Sequence, residues 1–278
     1  MRLGVMFDRD LPPEQLVPFA RELDQSTVDD LWVIEDLGWT GGISSAATAL
    51  AVTSRLRVGI GITPAPLRNP MLLAMELGNL ARLHPGRLVA GIGHGVQAWM
   101  RQVGAAVPSP LALLEETVTA VRALLRGETV TLHGKAVHLD GVRLVHPPAE
   151  VPPVVTGVVS PKSLALSGRV AQGTIVPEGY GPVQIAAALE HIGEASSHEL
   201  IVFTWLFVGE SAAVTDPVRA ESAAFLKVPP AEVTLATGSP AEAAATIRTL
   251  WESGAETVVL RPVGDGPLTQ VREVLRAL

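Results

Sequence analysis

The chain has no cysteine. That removes disulfides, thiolate metal sites and cysteine nucleophiles together, and it fits a cytoplasmic enzyme. Long apolar runs are missing too. The longest, Leu200 to Val208, falls far short of the ~18 residues of a membrane span, and its β-branched and aromatic content suits a buried strand. There is no long basic run, and the formal net charge is −7, which argues against nucleic acid as the main partner. Met1 to Asp8 is too short and too quickly charged for a signal peptide. The histidines (His84, His94, His133, His138, His146, His191 and His198) show no paired spacing with acids on one helix, so no metal is expected. No Gly-x-Ser-x-Gly elbow marks a serine nucleophile, and no Walker-type glycine loop occurs. Internal repeats and Ser/Gly-rich linkers are also absent, so 1–278 reads as a single domain.

What is present is core material. Hydrophobic residues make up 47% and charged residues 18%, the balance of a globular protein with a large core. Short apolar segments alternate with helical spacing from the start. Strands are expected at Leu3 to Phe7, Asp30 to Ile34, Arg57 to Ile62 and Leu88 to Ile92. Helices are expected at Glu14 to Leu23, Ile43 to Thr53 and Pro70 to Leu83, the last capped by Asn69 ahead of a proline at its first position. Gln97 to Pro110 reads as a link, and Leu111 to Leu125 as a fourth helix. The alternating stretch within 127–148 reads as a small β insertion after that helix.

The alternation then resumes. Strands are expected at Val154 to Thr156, Gly173 to Val176, Leu200 to Val208 and Thr257 to Leu260. Helices are expected at Pro161 to Arg169, Pro182 to Ile192, Asp216 to Phe225, Ser239 to Glu252 and Pro267 to Leu275. Strands that are apolar on both faces and separated by helices pair in parallel through right-handed crossovers. Eight such strands make an α/β fold, a (β/α)8 barrel, economical at a length of 278 residues.

In a barrel of this kind the chemistry gathers where the strands end. Those ends carry Asp8, then Glu35 and Asp36 with Trp39, then Gly61 to Pro64, then Gly91, Gly93, His94, Gly95 and Gln97. Further on come Gly157 to Ser163, Gly173 to Glu178, and Arg261. Two acids, a histidine and a tryptophan around an apolar opening suit a flat heterocycle. A backbone that leaves a strand and enters a helix, as at Gly157 to Ser163, meets an anion well. A metal-free hydrolase is the reading from another class. It needs a second carboxylate facing Glu35 or Asp36, with Asp8 and Glu178 as candidates.

Several stretches together resemble the luciferase-like monooxygenase superfamily, and within it the deazaflavin-dependent oxidoreductases. They are Asp30-Leu-Trp-Val-Ile-Glu-Asp36, Arg57-Val-Gly-Ile-Gly-Ile-Thr-Pro64, Arg68-Asn-Pro70, Gly86 to Gly95, Pro152 to Gly157, and Pro161-Lys-Ser163. The resemblance implies a bacterial-luciferase-like (β/α)8 TIM barrel, commonly a homodimer. It implies hydride transfer between coenzyme F420 and a small-molecule substrate, or alternatively an FMN-dependent monooxygenase or an inactive cofactor-binding barrel. It also implies a non-proline cis peptide at Gly61–Ile62 or Ile62–Thr63. The cofactor would be held by Glu35, Gly61, Ile62, Thr63, Gly93, His94, Gly157, Val158, Pro161, Lys162, Ser163, Gly173 and Thr174. Trp39, Gln97 and Trp99 would line the substrate pocket. Asp36 and Val96 stand where relatives with a known acid–base pair tend to carry His and Glu, which leaves His94, Asp36 or Glu35 for that work.

Overall fold

The computed structural model describes residues 1–194 and 197–278. Among them, eight parallel strands close into a barrel: β1 (Arg2–Met6), β2 (Asp30–Val33), β3 (Arg57–Pro64), β4 (Leu88–Gly93), β7 (Val154–Gly157), β8 (Gly173–Val176), β9 (Glu199–Val208) and β11 (Thr257–Pro262). Each pairs with the next, and β11 returns to β1. The helices α1 (Leu16–Asp24), α2 (Gly42–Val52), α3 (Pro70–Leu83), α5 (Pro110–Leu125), α6 (Pro161–Val170), α7 (Pro182–Ile192) and α9 (Pro240–Glu252) lie between them in the chain, and α10 (Pro267–Ala277) follows the last strand. The expected barrel is therefore present. Asn69 caps α3 by accepting from the Met71 amide at 2.9 Å, with Pro70 at the first turn.

Two local expectations change, and a third is met in a specific form. The link after Gly95 contains a short helix, α4 (Gln97–Gln102). The expected insertion is an antiparallel hairpin, β5 (Val130–His133) with β6 (His138–Val142), and Glu116 on α5 tethers it by accepting from three successive backbone amides. The helix expected from Asp216 starts a turn earlier, as α8 (Ala212–Leu226), and runs through Pro217. A further short strand, β10 (Ala236–Gly238), then pairs with β9. No described helix is long and apolar enough to cross a membrane.

The barrel interior is packed, not hollow. Met6, Trp32, Val89, Val155, Ile201, Phe203 and Val259 fill it. Trp32 is completely buried and meets Phe203 edge to face, with ring centroids 5.4 Å apart. Its bulk explains a glycine on the neighbouring strand, since a Cβ on Gly59 would lie 2.4 Å from the indole. Burying such a ring removes ~150–250 Å² from water, worth roughly 4–6 kcal/mol in transfer free energy.

The amino-terminal end of the barrel is closed by charge. Arg57 donates to Asp30 at 2.6 and 3.0 Å and to Glu199 at 2.7 and 3.0 Å. Arg2 adds a bond of 2.6 Å to Asp30. These residues stand at or next to the starts of β1, β2, β3 and β9, so the network ties the ring together at the end remote from any chemistry.

Candidate active site

The opposite, carboxyl-terminal rim collects most of the expected residues. β3 ends in a register shift between Ile60 and Thr63, and the peptide Gly61–Ile62 is cis. The Ile62 side chain then lies against two bare strand ends. A Cβ on Gly93 would come within 2.9 Å of it, and one on Gly157 within 2.6 Å. Gly93 and Gly157 are themselves register partners across β4 and β7. Three strand ends thus form one surface, with α6 starting just beyond it.

His94 joins that surface to α6. Its Nε2 is 3.0 Å from Ser163 Oγ, which also accepts from the Ser160 hydroxyl at 3.0 Å. Its Nδ1 is buried without a hydrogen-bond partner. Burial holds His94 below its ordinary pKa, and the Pro110 carbonyl pulls weakly the other way from outside hydrogen-bond geometry. The ring is therefore neutral at pH 7. The first N–H groups of α6, including those of Lys162 and Ser163, have no acceptor within the helix and favour negative charge. Lys162 and Pro161 are exposed there, while Val158 and Ser163 are buried beneath.

The rim acids are paired. Glu35 accepts from both terminal nitrogens of Arg68, one of them at 2.9 Å, and from the Gly42 amide at 2.8 Å, so it fastens β2 to the start of α2. Asp36 is 2.5 Å from Arg9, whose guanidinium lies 4.6 Å over the Trp39 ring. Asp8 and Glu178 both bind Arg261, at 2.6 and 3.0 Å. The hydrolase reading thus loses its facing carboxylates, because each of these four acids is committed to a guanidinium. Of the three acid–base candidates, only His94 is free of a guanidinium partner, and its Nδ1 is buried without a hydrogen bond.

Two expectations are corrected. Gly173 and Thr174 are not on the rim. Gly173 opens β8 and is in register with Glu199, a member of the amino-terminal charge network. The Thr174 hydroxyl is taken up by Ser167 at 2.7 Å and His198 at 2.8 Å, on the helix side of the sheet. Gln97 also turns inward: its amide reaches the His94 and Gly95 carbonyls at 3.4 and 3.5 Å and so supports the loop. Trp39 and Trp99 do meet at the mouth, 6.2 Å between centroids, with the Trp39 indole donating to Asp10 at 3.0 Å.

Arg9, Arg68, Trp205 and Glu221 also reach the site, beyond the residues expected there. Arg68 was visible in the Arg-Asn-Pro stretch. Nothing local marks the other three, which reach the mouth from β9, α8 and the loop after β1.

The family model described as luciferase-like monooxygenase matches residues 1–265. A 5,10-methylenetetrahydromethanopterin reductase of Methanolobus tindarius is 28% identical over 193 residues, 69% of this chain and 58% of that protein. An F420-dependent glucose-6-phosphate dehydrogenase of Nakamurella multipartita is 31% identical over 150 residues, 52% of this chain and 42% of that one. The chain therefore spans about half the length of these relatives. Among solved structures, the coenzyme F420-dependent tetrahydromethanopterin reductase of Methanopyrus kandleri superposes with a TM-score of 0.83 at 18% identity, covering 100% of this chain and 98% of that one.

Proposed function

The chain belongs to the luciferase-like monooxygenase family, and from that premise we propose that it is an oxidoreductase moving a hydride between coenzyme F420 and a small organic substrate. The observation that carries this reading is the surface made by Ile62 against Gly93 and Gly157, with His94 and the start of α6 beside it. Bare backbone and an aliphatic side chain back a flat ring. Amide donors at a helix start suit its anionic tail. The buried, unpartnered Nδ1 of His94 is a polar atom waiting for a partner. The residues present therefore fit the cofactor that the relatives' names carry.

When bound, F420 supplies the hydride chemistry itself. The chain's part is to bind, orient and exclude water. Gly157, Val158, Pro161, Lys162 and Ser163 hold the phosphate-bearing tail, with Ser163 fixed by His94 and Ser160. Gly61, Ile62, Thr63 and Gly93 back the ring. Glu35 acts at one remove, by locking Arg68 and the start of α2. Trp39 and Trp99 wall the mouth, with Asp36 steadying Arg9 against the first of them. His94, held below its ordinary pKa by burial, is the acid–base group of this reading.

Titration of the purified protein with F420 and, separately, FMN tests the assignment through visible absorbance. Micromolar binding of F420 is expected, with at least tenfold weakening in Gly157→Val, whose side chain must displace Ile62. His94→Gln is expected to weaken F420 binding by several-fold, through Ser163, and to slow turnover of any carbonyl the wild type reduces by about 10²-fold at saturating F420. Tight FMN binding without F420 binding would replace this reading with a flavin-dependent monooxygenase.

The chain is also proposed to work as a homodimer. Leu72 and Met75 stand one turn apart on α3 and are 57% and 50% exposed, an apolar face that a second copy would cover. Light scattering is expected to give a dimer for the wild type and a monomer for Met75→Asp. A wild-type monomer at micromolar concentration removes the proposal.

A further inference from the structure

Across the mouth from the Ile62 surface, a cleft of about 320 Å³ opens between the ends of β1, β9 and β11 and helix α8. Asp8, Arg9, Asp10, Trp205, Glu221 and Arg261 are among its walls. Nothing in the cofactor reading uses it. Going around the barrel, β9, β11 and β1 lie opposite β3, β4 and β7, so a molecule in this cleft faces the proposed cofactor surface across the opening.

The cleft is organised around Arg261. Its side chain is only 9% exposed, and its guanidinium lies over Trp205, 4.1 Å from the ring centroid. Nε donates to Asp8 at 2.6 Å and Nη1 to Glu178 at 3.0 Å. Trp205 is held in turn by its indole N–H, which donates to the Ser222 hydroxyl on α8 at 3.0 Å. Nη2 makes no hydrogen bond among the described residues. Its two carboxylate partners keep the guanidinium protonated at any working pH, so the group only donates.

We propose that Arg261 is a substrate-binding residue that reads an uncharged oxygen, the carbonyl or hydroxyl of a neutral organic molecule. One guanidinium shared by two carboxylates is a donor inside a cluster of net negative charge. An anion approaching Nη2 meets Asp8 and Glu178 at the same time, with Asp10 and Glu221 on the cleft wall beyond. Arg9 does not offset them, because Asp36 already holds it and Glu221 stands 3.8 Å away. A cation is drawn by the acids of the wall but repelled by Arg261, and with no lone pair it leaves Nη2 without an acceptor. A neutral acceptor pays neither cost and completes the third nitrogen. The inference deepens the proposed function by naming its substrate class: alcohols, aldehydes, ketones and esters are taken, and phosphorylated or carboxylated molecules are refused. The cleft volume lies at the low end of small-molecule pockets, which limits the guest to a compact one.

A matched series on one ring isolates the charge: cyclohexanone, cyclohexanecarboxylate and cyclohexylammonium. Their binding is measured by ligand-observed NMR and calorimetry on the full chain, with and without F420. Cyclohexanone is expected to bind at least tenfold tighter than either ion. Arg261→Lys loses that preference, provided its thermal melt shows a folded protein. Asp8→Asn combined with Glu178→Gln leaves a net positive guanidinium and is expected to reverse the order, so that the carboxylate binds at least tenfold tighter than before. The carboxylate matching the ketone in wild type, the ammonium binding best, or none of the three binding overturns the inference. A folded double variant with the wild-type order does the same. Arg261-dependent ketone binding without F420 binding would sink the cofactor reading and leave this one standing.

Discussion

Arg57→Met is expected to destabilise the fold by about 3–5 kcal/mol, the cost of leaving buried carboxylates without their partner. Asp30 is fully buried, and Arg57 supplies two hydrogen bonds to it and two to Glu199. Arg2 reaches only Asp30 and is more exposed, so it cannot take over both carboxylates. Urea denaturation at pH 7 measures the loss through its midpoint, with the slope as a check on two-state behaviour.

The pH dependence of the difference follows from Glu199. Burial opposes its charge, but the hydrogen bonds and charge of Arg57, with the Thr257 hydroxyl and Arg2, overcome that and hold its carboxyl below the usual range. A folded pKa below the unfolded one contributes stability above the unfolded value, about 4.3, and that stability is lost as pH falls through the folded value. Wild type should therefore weaken below about pH 4. In the variant, Glu199 is buried without Arg57, its pKa moves up, and protonation relieves it. The gap between wild type and variant should narrow steadily from pH 7 to pH 4. A constant gap would mean that the network contributes packing alone.

Gly91→Ala is expected to cost about 3 kcal/mol or more and to leave little folded protein at 37 °C. A Cβ at this position would lie 2.0 Å from the Ile60 carbonyl oxygen. Both atoms are backbone or backbone-fixed: Gly91 is paired with Val155 on β7, and Ile60 stands where β3 shifts register against β4, so the clash cannot be relieved by a side-chain rotation. The comparison is Gly104→Ala in an open loop, where an added Cβ meets nothing within 4 Å and only the backbone angle is penalised. Circular dichroism melts of the two variants separate the effects. A Gly91→Ala protein as stable as Gly104→Ala would show that the strands do not approach this closely.

Much of the barrel was legible because it is local. A strand buried on both faces must be apolar along its length, and Leu88 to Ile92 or Thr257 to Leu260 show that without reference to anything distant. Prolines at helix starts, as at Pro70, Pro161 and Pro182, fixed several boundaries to within a residue. The helix expected from Asp216 begins at Ala212 and runs through Pro217, a residue that in sequence marks a helix start more readily than an interior. Gly173 was expected both to open a strand and to help close the cofactor site at the rim, and these cannot both hold. Its register with Glu199 puts it at the amino-terminal end of the barrel, while Gly157 closes β7.

The order of the residues alone determined a ring of parallel strands and the rim on which Glu35, His94 and Gly157 would meet, because side-chain hydrophobicity and backbone propensity act over a few neighbours. It could not say which charges cancel. Glu35 finds Arg68 at a separation of 33 residues, and Arg261 finds Asp8 at 253. Those partnerships depend on distances that exist only once the ring has closed, and Coulomb attraction is set by distance in space. Closure is what buried the His94 Nδ1 without a hydrogen bond and set Arg261 between two carboxylates.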